Sequence, residues 1–251
     1  MRYIYTKTVI LMAVFFFLAS SATAQAYTPP RTRDGHPDLQ GIWQVRNTAN
    51  WDVQHHAGSY KTPAGLGVVV DPPDGTIPYQ PSALQKKKEN FVSRETADPL
   101  EKCYLAGVPR TMYLPYPIQI LQTAKEVLIF SEYVHTVRWI PLTKLERYPA
   151  YESWMGDPRG HWERDTLVVE SIGFNAGTWL DHSGNFHSDA LKVIERFKRT
   201  APDTITYEAT IEDQKVFSRP WTIRMPLYLH KDMDQVLENE CHIYAQEVGR
   251  Q

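Results

Sequence analysis

Between Thr204 and Ile211 polar and apolar residues alternate: Thr204, Thr206, Glu208 and Thr210 on one side, Ile205, Tyr207, Ala209 and Ile211 on the other. A period of two predicts a strand with one buried face. Trp221–Leu229 repeats the pattern, with Trp221, Ile223, Met225, Leu227 and Leu229 in phase. Further strand-like runs are Val127–Ile140, long enough for a strand or a kinked hairpin, His161–Glu163, Thr166–Ile172, Leu191–Arg199 and Val236–Tyr244. Tight connections, Arg164-Asp165, Ala201-Pro202-Asp203 and Lys231-Asp232-Met233-Asp234, alternate with the long crossings Pro141–Gly160, Gly173–Ala190 and Asp213–Pro220. In an antiparallel meander every second connection lies at the same end of the sheet. The three long crossings are therefore expected to gather at one end, and loops gathered on a rigid scaffold are where sites are built.

This pattern predicts a mainly β protein: an up-and-down antiparallel β-barrel or curled sheet, lipocalin-like, whose closure removes exposed edges. A two-sheet sandwich is the competing arrangement. Ahead of the meander, residues 25–120 read as an irregular N-terminal arm. Tyr27–Pro37 is an extended leader, Gly41-Ile42-Trp43 opens a first strand, and only Leu66–Val70 breaks the Gly/Pro/His-rich stretch Asn47–Gln80. Pro81–Arg94 is the one short helix, with Ser82 placed to cap it. Pro109, Pro115 and Pro117 exclude a long regular element in Cys103–Pro117. Residues 121–251 carry the meander, and arm and meander are expected to form one domain.

The first 24 residues read as a secretory signal peptide: Arg2 and Lys7, the apolar run Val9–Leu18, then Ser21-Ala22-Thr23-Ala24 as the cleavage site. Removing those 24 of the 251 residues leaves 227, with no second apolar stretch long enough to span a membrane. The mature protein is expected to be periplasmic or secreted, in a bacterium. Its 25 basic and 29 acidic residues give a charge of −4 once Arg2 and Lys7 are gone. The densest basic run, Lys86-Lys87-Lys88, is short and followed by Glu89, so nucleic acid is not an expected partner. In an oxidising compartment Cys103 and Cys241 can form one bridge or stay as two buried thiols, and spacing alone does not decide. The oligomeric state is left open.

Several phrases occur together: Pro30-Arg31-Thr32-x-Asp34-Gly35-His36-Pro37-Asp38-Leu39-Gln40-Gly41-Ile42-Trp43, Gly107-Val108-Pro109-Arg110, Trp154-Met155-Gly156-x-x-x-Gly160-His161-Trp162-Glu163, Asp165-Thr166-Leu167-Val168-Val169-Glu170, Thr178-Trp179-Leu180-Asp181 and His187-Ser188-Asp189-Ala190-Leu191. Through them the chain resembles a large group of secreted bacterial β-rich proteins, over most of the mature length. The resemblance implies an export signal and one β-rich domain, and carries no settled activity. Where that group usually reads Trp-Glu-Gly-Asp, this chain has Arg164 in place of Gly. The Gly41-x-Trp43 pair is similar to the start of lipocalin-like barrels.

The sequence holds no Gly-x-Ser-x-Gly elbow, P-loop, His-Glu-x-x-His, Cys-x-x-Cys or Gly-x-Gly-x-x-Gly. It does hold an enrichment: Asn175, Trp179, Asp181, His182, His187 and Asp189 in one crossing, and Trp154, Asp157 and Arg159 in the one that ends at His161. Imidazole supplies a base near neutral pH, a carboxylate orients it, and indoles supply apolar walls. His135 and Arg138 converge only if the chain turns at Val134–Thr136. Glu195 shares the apolar face of Leu191, Val193 and Phe197, so it is either a perturbed acid or base, or the partner of an inward Arg138 or Arg224. Glu238, Glu240 and His242 share one face of the expected last strand.

These residues suggest a secreted, cofactor-independent lyase or isomerase acting on a small aromatic or apolar molecule by general acid–base catalysis. His187 or His135 would be the base, Asp181 or Glu195 the orienting or acid group, and Arg138 the anion stabiliser. Trp154, His161, Trp179, Trp221 and Tyr133 would contact the substrate. One alternative is a non-catalytic binding protein for an apolar ligand. Another is a metal-dependent hydrolase or lyase with His161, His182, His187 and Asp181 as ligands.

Overall fold

The computed structural model describes residues 27–147 and 152–241. The expected signal peptide, residues 1–24, and His242 lie outside the described residues. The described chain is mainly β, an antiparallel sheet nearly closed into a barrel. Its strands are β1 (Gly41–Gln44), β2 (Val69–Asp71), β3 (Ile118–Gln122), β4 (Glu126–Ser131), β5 (Val137–Pro141), β6 (Asp157–Glu163), β7 (Thr166–Ile172), β8 (Lys192–Ala201), β9 (Thr204–Glu212) and β10 (Trp221–Leu229). They are ordered β5-β4-β3-β1-β10-β9-β8-β7-β6. The short β1 pairs with Tyr228 and Leu229 of β10, and β2 pairs with Thr222 and Ile223 at its other end.

Alternation fixes which residues face inward. Ile205, Tyr207, Ala209 and Ile211 are fully buried, and so are Val193, Glu195 and Phe197 on β8. Each large apolar side chain taken from water in this way contributes about 1.5–3 kcal/mol. The barrel interior is filled by side chains, as expected of a small barrel. No helix among the described residues is long and apolar enough to cross a membrane.

The run Val127–Ile140 is a hairpin. β4 and β5 are joined through residues 132–136, where Val134 and His135 have φ of 46° and 53° and Ser131 N–H donates to Thr136 O at 2.8 Å. Arg164, in the β6–β7 turn, has φ of 54°. That left-handed backbone is the region that favours glycine, so an arginine is strained there.

The helix α1 (Pro81–Ala97) runs three residues beyond Arg94. Ser82 is not its cap: Gln80 holds that position with no side-chain hydrogen bond, and Pro81 starts the first turn with its φ already set. α1 packs on the crossing after β7. A Cβ on Gly184 (φ +81°) would stand 2.6 Å from Asn90 Cβ, and Asn90 Nδ2–H donates to Gly184 O at 3.2 Å.

Two expectations need correction. The crossing after β5 does not start at the same end as the others. β5 and β6 run in the same direction along the seam of the barrel, so β5 ends at the tight-turn end while β6 begins at the end that holds residues 173–191 and 213–220. The expected last strand is not formed over residues 236–241 either. β10 is already paired with β9 on one side and with β1 and β2 on the other, so no edge is left for it there. The tail instead reaches the β4–β5 turn, where Asn239 bridges to Tyr133 and Cys241 is disulfide-bonded to Cys103, with Cα atoms 5.5 Å apart.

Candidate functional site

The residues named from sequence are not brought into one site. His135 sits exposed at the tip of the β4–β5 turn, its Nε2 2.8 Å from Glu240 Oε1. His161 is on the outer face of β6, 3.2 Å from Glu163. Glu195 and Arg138 do meet, inside the barrel, where Arg138 Nη1 donates to Oε1 at 2.9 Å and Nη2 to Oε2. Tyr207 Oη–H donates to Glu195 Oε1 at 2.9 Å, and Arg138 Nη2 also donates to Ser171 Oγ at 3.0 Å. This is the ion pair with an inward arginine, enclosed in packed side chains. Trp221 lies in the core edge-on to Phe217, not at a mouth. Tyr133 is buried beside Tyr116, its hydroxyl donating to Tyr104 O at 3.1 Å, and burial pushes its phenol up. Trp154 packs on Tyr104, and Trp179 pairs with Phe186 within the same crossing.

His187 and Asp181 share the crossing after β7 but serve its architecture. Ser188 O can only accept, so His187 Nδ1 carries the proton to it at 2.8 Å, and Nε2 accepts from Thr178 Oγ1–H at 2.6 Å. Burial lowers the imidazole's pKa, so it is neutral and its two nitrogens are occupied. Asp181 is fully buried and accepts from Val53 N at 2.9 Å and from Asn185 Nδ2 at 2.6 Å. Burial, and then the charge of Asp52, raise its pKa to about 7 against these donors. Among the described residues no group of three or more His, Cys, Asp or Glu is placed to hold a metal ion.

A different constellation forms one residue along, at His182. A cleft of about 300 Å³ opens at this end of the barrel, lined by Asn50, Trp51, Lys61, Glu95, Asp98, Leu100, Glu101, Arg110 and His182. Asp98 follows the end of α1 and caps the 3-10 turn Pro99–Lys102, accepting from Leu100 N at 3.1 Å. Its carboxylate is fully buried and held bidentately by Arg110, Nη1 to Oδ1 and Nη2 to Oδ2, both at 2.8 Å. Arg110 Nε donates to Asn50 Oδ1 at 3.0 Å. Asp98 Oδ2 also accepts from His182 Nδ1 at 2.9 Å. Burial alone would raise the Asp98 pKa; the bonds from His182 and Arg110 outweigh it and bring it down to about 2. The same bond from Asp98 is the main cause that raises the pKa of His182.

The geometry therefore fixes Nδ1 of His182 as the atom bound to Asp98 and leaves Nε2 turned to the cleft, 3.6 Å from Glu95 Oε1. A buried Arg–Asp pair costs desolvation that a pair of apolar side chains would avoid. Here it holds an imidazole in one orientation.

Sequence reading placed His182 in the right crossing but did not find Asp98, Arg110, Glu95 or Lys61. Arg110 ends the Gly107-Val108-Pro109-Arg110 phrase, and Gly107 (φ +73°) lies so close to Thr178 that a Cβ would stand 2.8 Å from its Cβ. That packing seats the phrase against the crossing, and it is invisible in spacing.

Fold and cleft together define a nearly closed β-barrel protein with an ionisable cleft at one end. Comparison with protein-family models, with curated proteins and with solved structures finds no match.

Proposed function

We propose that the protein is an exported enzyme, a lyase or isomerase, that moves a proton on a small molecule in the cleft, with His182 as the proton-transfer residue and Asp98 as its positioning residue. The observation that carries this reading is the fully buried Asp98, bound at once by Arg110 and by His182 Nδ1, with Nε2 of the same ring lining the cleft. A histidine tied at Nδ1 to a carboxylate has its tautomer and orientation set, and exchanges protons at Nε2. The raised pKa of His182 suits it to start as the acid. The lining is mostly polar and charged, with Trp51 and Leu100 as apolar walls, which favours a small polar substrate over the apolar one expected from sequence. The leader-like first 24 residues and the Cys103–Cys241 disulfide support export to an oxidising compartment.

The test is solvent-deuterium incorporation, followed by NMR, into a panel of small carboxylic acids, hydroxy acids, amino acids and sugars incubated with the mature protein. Exchange into an active compound should fall by about 10²–10⁴-fold in His182→Gln with the fold intact. Turnover that survives His182→Gln overturns the assignment.

A further inference from the structure

We infer that the substrate carries a carboxylate, which takes the place that the protein's own Glu95 occupies between Lys61 and His182. The inference deepens the proton-transfer reading and rests on it.

Lys61 reaches the cleft from a two-residue turn at the tip of a small hairpin. Ser59 N–H donates to Thr62 O at 2.9 Å, Thr62 N–H to Ser59 O at 3.0 Å, and His56 and Gly65 are bonded in both directions below them. Lys61 itself has φ of 60°, a backbone region where a lysine is strained and a glycine would not be. On the opposite wall, Glu95 stands in the last turn of α1. A carboxylate there faces the negative end of the helix dipole, so the position does nothing for the helix.

What Glu95 does instead is stand between two cations, in a long ion pair with each. Its Oε2 is 3.9 Å from Lys61 Nζ and its Oε1 is 3.6 Å from His182 Nε2. Its other neighbour, Arg94 Nε, is 3.7 Å away. All three separations exceed hydrogen-bond length. Ion pairs between side chains as exposed as Lys61 (64 %) and Glu95 (50 %) are worth little. The raised pKa of His182 keeps its ring cationic to higher pH than a free imidazole.

The guanidinium of the cleft, Arg110, is committed to Asp98 and Asn50. The cleft thus sets the Lys61 ammonium and the His182 ring on either side of one carboxylate-sized space. It fills that space with a loosely held carboxylate on a half-exposed side chain. A ligand carboxylate within hydrogen-bond reach of Lys61 would displace Glu95 and uncover His182 Nε2 for the reacting part of the molecule. Glu101 on the rim disfavours a second negative charge, so a monocarboxylate fits best.

The experiment is a titration of the mature protein with benzoate, with benzamide as the neutral isostere, read from the His182 ring resonances that vanish in His182→Gln. Benzoate should bind saturably and benzamide should not. Glu95→Gln should tighten benzoate at least threefold, and Lys61→Met should weaken it at least tenfold. Equal response to benzoate and benzamide in both wild type and Glu95→Gln overturns the inference, as does an unchanged benzoate affinity in Lys61→Met. If benzoate fails while His182→Gln still abolishes deuterium exchange, the carboxylate inference falls and the proton-transfer reading stands. If benzoate binds as stated and exchange survives His182→Gln, the binding inference stands and the proton-transfer reading falls.

Discussion

Removing the Cys103–Cys241 bridge should cost this fold a large share of its stability, and the amount follows from chain separation. The two cysteines are 138 residues apart and their Cα atoms lie 5.5 Å from each other, within the distance a disulfide spans without moving the backbone. Closing a loop of that length removes from the unfolded chain about 17 cal/mol/K in the chain-entropy treatment, or about 5 kcal/mol at 25 °C. Measured bridges give about 2–5 kcal/mol, and a domain's net stability is about 5–15 kcal/mol, so the loss is a substantial fraction of the whole. For a described body of this size, about 5 kcal/mol corresponds to a fall in Tm of about 10–15 °C. Urea unfolding of the mature protein, oxidised against Cys103→Ser/Cys241→Ser, reads it directly. The double variant should unfold at lower urea with the slope changed as well, because its denatured state is less restricted. The reasoning is refuted if the double variant loses less than about 1 kcal/mol, or if both thiols of the native protein alkylate without reductant.

Two further predictions rest on buried charges. Glu195→Gln leaves Arg138, which is 3 % exposed, without its counter-charge inside the barrel and should cost about 3–5 kcal/mol in urea unfolding. Arg138→Met with Glu195→Leu should recover most of that, less the penalty of stranding the Tyr207 hydroxyl, and a double variant as unstable as the sum of the singles would contradict it. The pKa of Asp98 lies at about 2 in the fold against 3.8 for the free carboxyl, so the stability it contributes is present above about pH 4 and is lost as pH falls towards 2. A pH series of urea unfolding should show about 2 kcal/mol lost over that window in wild type. Asp98→Asn should lack that loss while starting lower at every pH because Arg110 is left buried and unpaired, and an identical acid limb in both would count against the assignment.

What the sequence made legible is what has a period. Glu195 was placed on the inward face with Val193 and Phe197 because a strand alternates, and the same parity put Trp221 in phase with Ile223, Met225 and Leu227. The parity of Trp221 argues against a substrate contact, since that face is the packed interior of the barrel. A turn at Val134–Thr136 is the condition for His135 and Arg138 to converge, yet the turn parts them: it raises His135 to the tip while Arg138 returns on β5 with its side chain inward. The cleft was hidden for a different reason. Asp98, Arg110 and His182 come from the end of a helix, a proline-rich segment and a barrel crossing, and no spacing in the chain relates them. They are assembled by contacts that only the fold makes, α1 seated on Gly184 and Gly107 against Thr178. The disulfide belongs to the same assembly, since Cys103 ends the 3-10 turn that Asp98 begins. A bridge that closes a loop of 138 residues is therefore anchored five residues from the carboxylate that orients His182. Loss of the bridge should reach the cleft before it reaches the barrel, whose ladders do not include either cysteine.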